Sequence, residues 1–122
     1  GKLWVVELSN RISDHVPLLF AYDPVSGEAH KGFSLEMPGF APNLRSGTMP
    51  VACDMNGDGK DEIVISNNSG VHCVGYKDNK TTVLWKYSTE GCGPVVVADT
   101  DSDGFVEVVT ATQNGKILIL DK

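Results

Sequence analysis

The chain has 122 residues, the size of one compact domain, and 41% of them are hydrophobic, which suffices for a core and argues against disorder. A formal charge of −6 with no basic stripe to neutralise phosphates argues against a nucleic-acid partner. No stretch approaches the roughly 20 apolar residues of a membrane span, and GKLWVVELSN at the start lacks the charged head, apolar segment and cleavage site of a signal peptide.

In chain order, GKLWVVELS reads as a β-branched strand, and LLFAYDPVSGEAHKGFSL (18–35) as strand, turn and strand. EMPGFAPNLRSGTMP follows, with three prolines and no pattern, and predicts a connecting loop over 36–48. Next comes a short strand, PVAC, then the acidic loop DMNGDGKDE (54–62), the strand EIVIS, an NNSG turn (67–70) and the strand pair VHCVGYK and TTVLWKYS. The order then starts again: PVVVA, the acidic loop DTDSDGFVE (99–107), VEVVTAT, a TQNG turn (112–115) and KILIL. No segment has helical periodicity, so the expected fold class is all-β.

Fixed-period self-similarity organises these strands. The two acidic loops are 45 residues apart, and with four strands labelled A to D the chain reads B-C-D, A-B-C-D, A-B-C. Gly1 then takes the place of the loop glycine Gly59. Four antiparallel strands in about 40–50 residues is the size of a β-propeller blade, and closure takes at least four blades. The expectation is about two and a half blades that do not close alone: a partial blade over 1–35, a complete blade over 49–93 and a partial blade over 94–122.

The acidic loops hold eight of the sixteen acids, and such clusters repel themselves unless a cation lies between them. Positions 1, 3 and 5 carry Asp54, Asn56 and Asp58 in the first loop and Asp99, Asp101 and Asp103 in the second. Alternate side chains of a tight loop aim at one point. Gly59 and Gly104 at position 6 let the backbone reverse, so that the carbonyl of Lys60 or Phe105 also turns inward. Glu62 or Glu107 at position 9 closes the shell. Hard oxygen donors in a flexible ring suit Ca²⁺ better than Mg²⁺, and the absence of His and Cys argues against zinc. An EF-hand fails, because position 12 is Ile65 in one loop and Thr110 in the other and the flanks are strands.

The pattern D-x-[DN]-x-D-G-x-x-E, preceded by PVACD or PVVVAD and followed by DEIVIS or VEVVTA, resembles the FG-GAP/VCBS repeats of integrin-α-like β-propellers. The resemblance covers essentially the whole chain and is clearest over 49–122. It implies one calcium ion in each loop, held by Asp54, Asn56, Asp58, the Lys60 carbonyl and Glu62, and by Asp99, Asp101, Asp103, the Phe105 carbonyl and Glu107. Glutamate at the last position departs from the commoner aspartate and bears on denticity.

The expected function is a calcium-stabilised extracellular or cell-surface propeller segment for adhesion, recognition or scaffolding, with no catalysis of its own. Its partner would be a protein or carbohydrate ligand, or further blades from the same or another chain. Two alternatives stand beside it: the propeller portion of a secreted polysaccharide lyase-like enzyme, and a filament subunit joined through blade edges. His15, His30 and His72 carry no nucleophile signature, so the set of catalytic residues is empty. Trp4, Phe33, Trp85 and Tyr87 are expected in inter-blade packing rather than on a carbohydrate platform. Asn67 and Asn79 head N-glycosylation sequons in predicted turns. Cys53, Cys73 and Cys92 leave two readings open: one disulfide with an odd thiol, or three buried thiols.

Overall fold

A computed structural model describes residues 4–10, 17–36 and 49–121. Gly1, His15 and nearly all of the expected connecting loop lie outside the described residues. Ten strands make three antiparallel sheets, with no helix among the described residues. None of the sheets closes into a barrel. Sheet I joins β1 (Val5–Asn10), β2 (Pro17–Tyr22) and β3 (Ala29–Glu36) in sequence order. Sheet II is a four-stranded meander of β4 (Val51–Cys53), β5 (Glu62–Asn67), β6 (Gly70–Lys77) and β7 (Lys80–Ser88). Sheet III joins β8 (Cys92–Ala98), β9 (Glu107–Thr112) and β10 (Ile117–Leu120). These are whole and partial propeller blades, as the repeat predicts.

The turns follow from the residues that occupy them. Asp78 and Asn79 have φ of 52° and 62°, the type I′ geometry that matches strand twist and that Asp and Asn tolerate best. At the β5–β6 hairpin, Gly70 has φ 133°, and a Cβ there would collide with the Tyr87 carbonyl of β7. Glycine is required at this position on both counts.

Sheet II is the middle layer. Every residue of β5 is buried, because alternate side chains point to opposite faces and both faces are covered. Ile63, Ile65 and Val74 join Leu19 of sheet I in one core, with Val6, Phe33 and Leu35 packed around it. Val64, Val71 and Cys73 join Met55, Cys92, Val95 and Val108 in the other. Polar stitches fix the spacing of the layers. Thr81 Oγ1 donates to the Gly32 carbonyl at 2.9 Å, and Tyr76 Oη donates to the Lys31 carbonyl at 3.1 Å. Between sheets II and III, the Gly93 carbonyl accepts from Ser66 Oγ at 2.5 Å and from Thr110 Oγ1 at 3.0 Å. No buried side-chain nitrogen or oxygen lacks a hydrogen bond among the described residues.

The aromatic expectations divide. Phe33 and Trp85 pack against the two cores, and Trp4 lies on His30 with ring centroids 4.4 Å apart. Tyr87 departs from the expectation: it sits on the edge strand β7 and stays 43% exposed. The three cysteines are free thiols, with Cys73 and Cys92 buried and Cys53 half-buried. Among the described residues, no helix is long and apolar enough to cross a membrane.

Candidate metal centres

Each acidic loop connects the first two strands of its sheet, β4 to β5 and β8 to β9. The loop closes on its first aspartate. Asp54 Oδ1 accepts from the backbone N–H of Gly57 at 2.7 Å, Asp58 at 3.1 Å and Asn56 at 3.3 Å, while Oδ2 accepts from Gly59 at 2.8 Å. These donors, Gly59 first, hold the exposed Asp54 carboxyl below its ordinary value. Asp99 repeats the arrangement, accepting from Asp103 N at 3.2 Å and Gly104 N at 3.0 Å. Gly59 and Gly104, at φ 82° and 91°, make the reversal that brings those N–H groups round.

The ninth-position glutamates are the buried members, at 5% exposure for Glu62 and 3% for Glu107. Each reaches back across the loop. Glu62 Oε2 accepts from Met55 N at 3.0 Å, and Glu107 Oε2 accepts from Thr100 N at 2.6 Å and from Thr100 Oγ1. Burial pushes the Glu62 carboxyl up, the charges of Asp58, Asp54 and Asp61 add to the rise, and the Met55 N–H opposes it.

The loops differ at position 3. In the second loop, carboxylate oxygens of Asp99, Asp101 and Glu107 all lie within 4.8 Å of one another. Three acids converging on one point, one of them buried, form an all-oxygen donor set of the kind that holds a hard divalent cation. Asp103 stands at the loop's tip, its Oδ1 accepting from Phe105 N at 2.8 Å. In the first loop the third residue is the neutral Asn56. Its Nδ2 donates to Glu62 Oε1 at 3.0 Å, so that carboxylate already has a donor facing it. Asp58 Oδ1 accepts from Lys60 N at 2.9 Å, matching Asp103.

The two loops also approach each other. The ring of Phe105 from the second loop lies over Gly57 of the first, and a Cβ at Gly57 would sit 3.0 Å from Phe105 Cε1. No sequence pattern predicts this contact.

The model of the FG-GAP-like repeat matches residues 54–110, from the first acid of one loop into the strand that follows the other. Residues 54–110 are an FG-GAP-like repeat. No curated protein matches the chain. The FG-GAP-like segment thus contains both acidic loops, all of β5 to β8 and the start of β9.

The remaining site residues lie apart from these loops. Asn67 is 3% exposed, and its Oδ1 accepts from Ser69 N and Ser69 Oγ, both at 2.8 Å, and from His72 Nε2 at 3.3 Å. A glycan at Asn67 would be attached through Nδ2 of a residue that the fold leaves only 3% exposed. Asn79 is exposed in the β6–β7 turn. A cleft of about 440 Å³ between sheets I and II is lined by Trp4, His30, Phe33 and Tyr76, with Lys60 and Asp61 at the first loop's end.

Proposed function

We propose that this chain is a calcium-stabilised propeller segment of an extracellular or cell-surface protein, serving adhesion, recognition or scaffolding without catalysis of its own. The observation that carries the reading is the convergence of Asp99, Asp101 and Glu107 within 4.8 Å. With Asp103 and the Phe105 carbonyl they would hold the ion in the second loop. Asp54, Asn56, Asp58, the Lys60 carbonyl and Glu62 would hold one in the first. Calcium supplies the positive charge that lets the acids approach, and the protein's own N–H groups already hold Asp54 and Asp99 in place. Extracellular modules commonly hold calcium with Kd of about 10⁻⁴–10⁻³ M, so millimolar calcium keeps such loops filled.

Binding of this kind adds to stability by mass action. The loops close on β5, which feeds both cores, and on β9, which feeds one, so a filled loop fixes strands from which those cores are built. The ligand recognised would be a protein or a carbohydrate, for which the aromatic walls of the cleft between sheets I and II offer stacking surfaces. The test is a calorimetric titration of the chelator-treated chain with CaCl₂ and, separately, MgCl₂. Calcium binding that disappears in the Asp99→Asn/Glu107→Gln double variant is expected. No calcium heat, or heat unchanged in that variant, would remove the metal from the reading.

A further inference from the structure

We propose that Asn56 is a self-modifying residue, which the first acidic loop converts to aspartate or isoaspartate through attack by the backbone nitrogen of Gly57. An asparagine followed by glycine is the pair least hindered for this cyclisation, because glycine has no side chain to block the approach of its nitrogen. The sequence has two such pairs, Asn56-Gly57 and Asn114-Gly115. The step needs no metal, so it stands apart from the proposed function.

Each group that reacts at Asn56 has a partner of the right polarity. The nucleophile is Gly57 N, whose N–H donates to Asp54 Oδ1 at 2.7 Å, a carboxylate placed to take its proton. The electrophile is Cγ of Asn56. Its Oδ1 accepts from Asp58 N at 2.9 Å, a fixed donor for the negative charge that gathers on this oxygen during attack. The leaving group is Nδ2, which donates to Glu62 Oε1 at 3.0 Å, so a carboxylate faces the nitrogen as it departs. The bond from Gly57 N to Asn56 Cγ forms and the Cγ–Nδ2 bond breaks. The proton of Gly57 N leaves on Nδ2 as ammonia, relayed by Asp54 and water. Water then opens the cyclic imide at either carbonyl, giving aspartate or isoaspartate.

The fold keeps the labile pair in place. Ser102, at the matching position of the second loop, adopts φ 67° with its side chain, close to the 76° of Gly57, so this backbone conformation alone does not demand glycine. The ring of Phe105 leaves little room for anything else, since a Cβ on Gly57 would sit 3.0 Å from Cε1. The aspartate product has the acid pattern of the second loop, where Asp101 faces Glu107. It loses the amide donor to Glu62 and puts a negative charge in its place. Asn114 supplies the contrast. Its Oδ1 also has a donor, Thr112 Oγ1, but the Gly115 N–H donates at 3.0 Å to the Thr112 carbonyl, which takes up no proton.

The experiment ages the full chain at neutral pH with a chelator present and follows both asparagines by mass spectrometry of proteolytic peptides. Asp54→Asn and Glu62→Gln variants, their β-sheet content checked by circular dichroism, are aged beside it. We expect Asn56 to be lost several-fold faster than Asn114 in the folded chain, and the two at similar rates in denaturant, where only the shared Asn-Gly pair remains. Both variants should slow the loss of Asn56 and leave that of Asn114 unchanged. A carboxylate that merely held the loop shut would give the opposite, a faster loss once it is removed. If Asp54→Asn loses its β-structure, Glu62→Gln carries the comparison. An Asn56 that outlasts Asn114 in the folded chain overturns the proposal, as does a loss of Asn56 as fast in the folded variants as in wild type.

Discussion

Asn56 Nδ2 donates to Glu62 Oε1 at 3.0 Å, whereas at the matching place in the second loop the carboxylates of Asp101 and Glu107 face each other. The first loop places a side-chain donor between its third and ninth residues, and the second places two carboxylates there, where a cation could lie. Thermal unfolding with and without calcium should therefore respond unequally to substitution. Asp101→Asn should lower the calcium-induced rise in Tm and raise the Tm of the chelated protein, since it installs an internal donor. Asn56→Asp should do the reverse. At ten to a hundred times Kd, each filled site adds about 1.4–2.7 kcal/mol. Equal responses from the two loops would refute the asymmetry.

Burial pushes the Cys73 thiol up to about 12 and the Cys53 thiol up to about 11, with acids, Asp61 first for Cys53 and Glu62 for Cys73, adding to the rise. A thiol reagent at neutral pH should label the folded chain slowly, Cys73 slowest, and all three cysteines promptly in denaturant. The pH dependence has a definite sign. The unfolded thiol ionises near 9.0 and the folded one does not, so stability is full below 9.0 and falls as pH rises towards 12. Cys73→Ala should flatten that alkaline slope in a series of melts, and an unchanged slope would place its cause elsewhere.

On the acid side the group to watch is His72. Burial lowers its pKa from 6.5, and Lys86, its cross-strand partner, lowers it further. The unfolded chain takes up a proton near 6.5 that the folded chain refuses, so stability is full above that pH and falls below it. Tm should decline through that range in wild type and decline less in His72→Gln, which keeps an amide donor for Asn67. Parallel curves for the two proteins would exclude His72 as the cause.

Two glycines with φ > 0 separate backbone strain from collision. Gly115, at φ 80°, has nothing within 4 Å of a built Cβ, so Gly115→Ala should cost only the conformational strain of about 1 kcal/mol. Gly70→Ala adds the collision with the Tyr87 carbonyl and should cost clearly more in urea denaturation. For scale, Ile65→Ala in the core between sheets I and II should cost about 2–5 kcal/mol. A Gly70 variant as stable as the Gly115 one would mean that β7 yields to the methyl group.

The strands and hairpins were legible because their signals are local. Val and Ile alternate or run together, Asn, Asp and Gly stand at the reversals, and a repeated acid pattern aligns one sheet with the next. Spatial relations were not. Nothing local tells that the Asn56 amide turns to Glu62, that Met55 and Thr100 lend their N–H groups to the ninth-position acids, or that Ser66 and Thr110 share the Gly93 carbonyl. Asn67 illustrates the limit well. Its sequon sits in a turn, as read, but the side chain folds inward to serve Ser69 and His72, and burial depends on what packs over the turn.

Ile63 and Ile65 feed one core while Val64, between them, feeds the other, and the two cores share no residue. Stability in such a stack is close to a sum of each sheet's own term and one term per junction, as in other linear repeat arrays. Pulled from its ends, the molecule should therefore lengthen in separate steps. Sheet III can peel away and leave the junction of sheets I and II intact, and tension would be released layer by layer rather than in a single rupture.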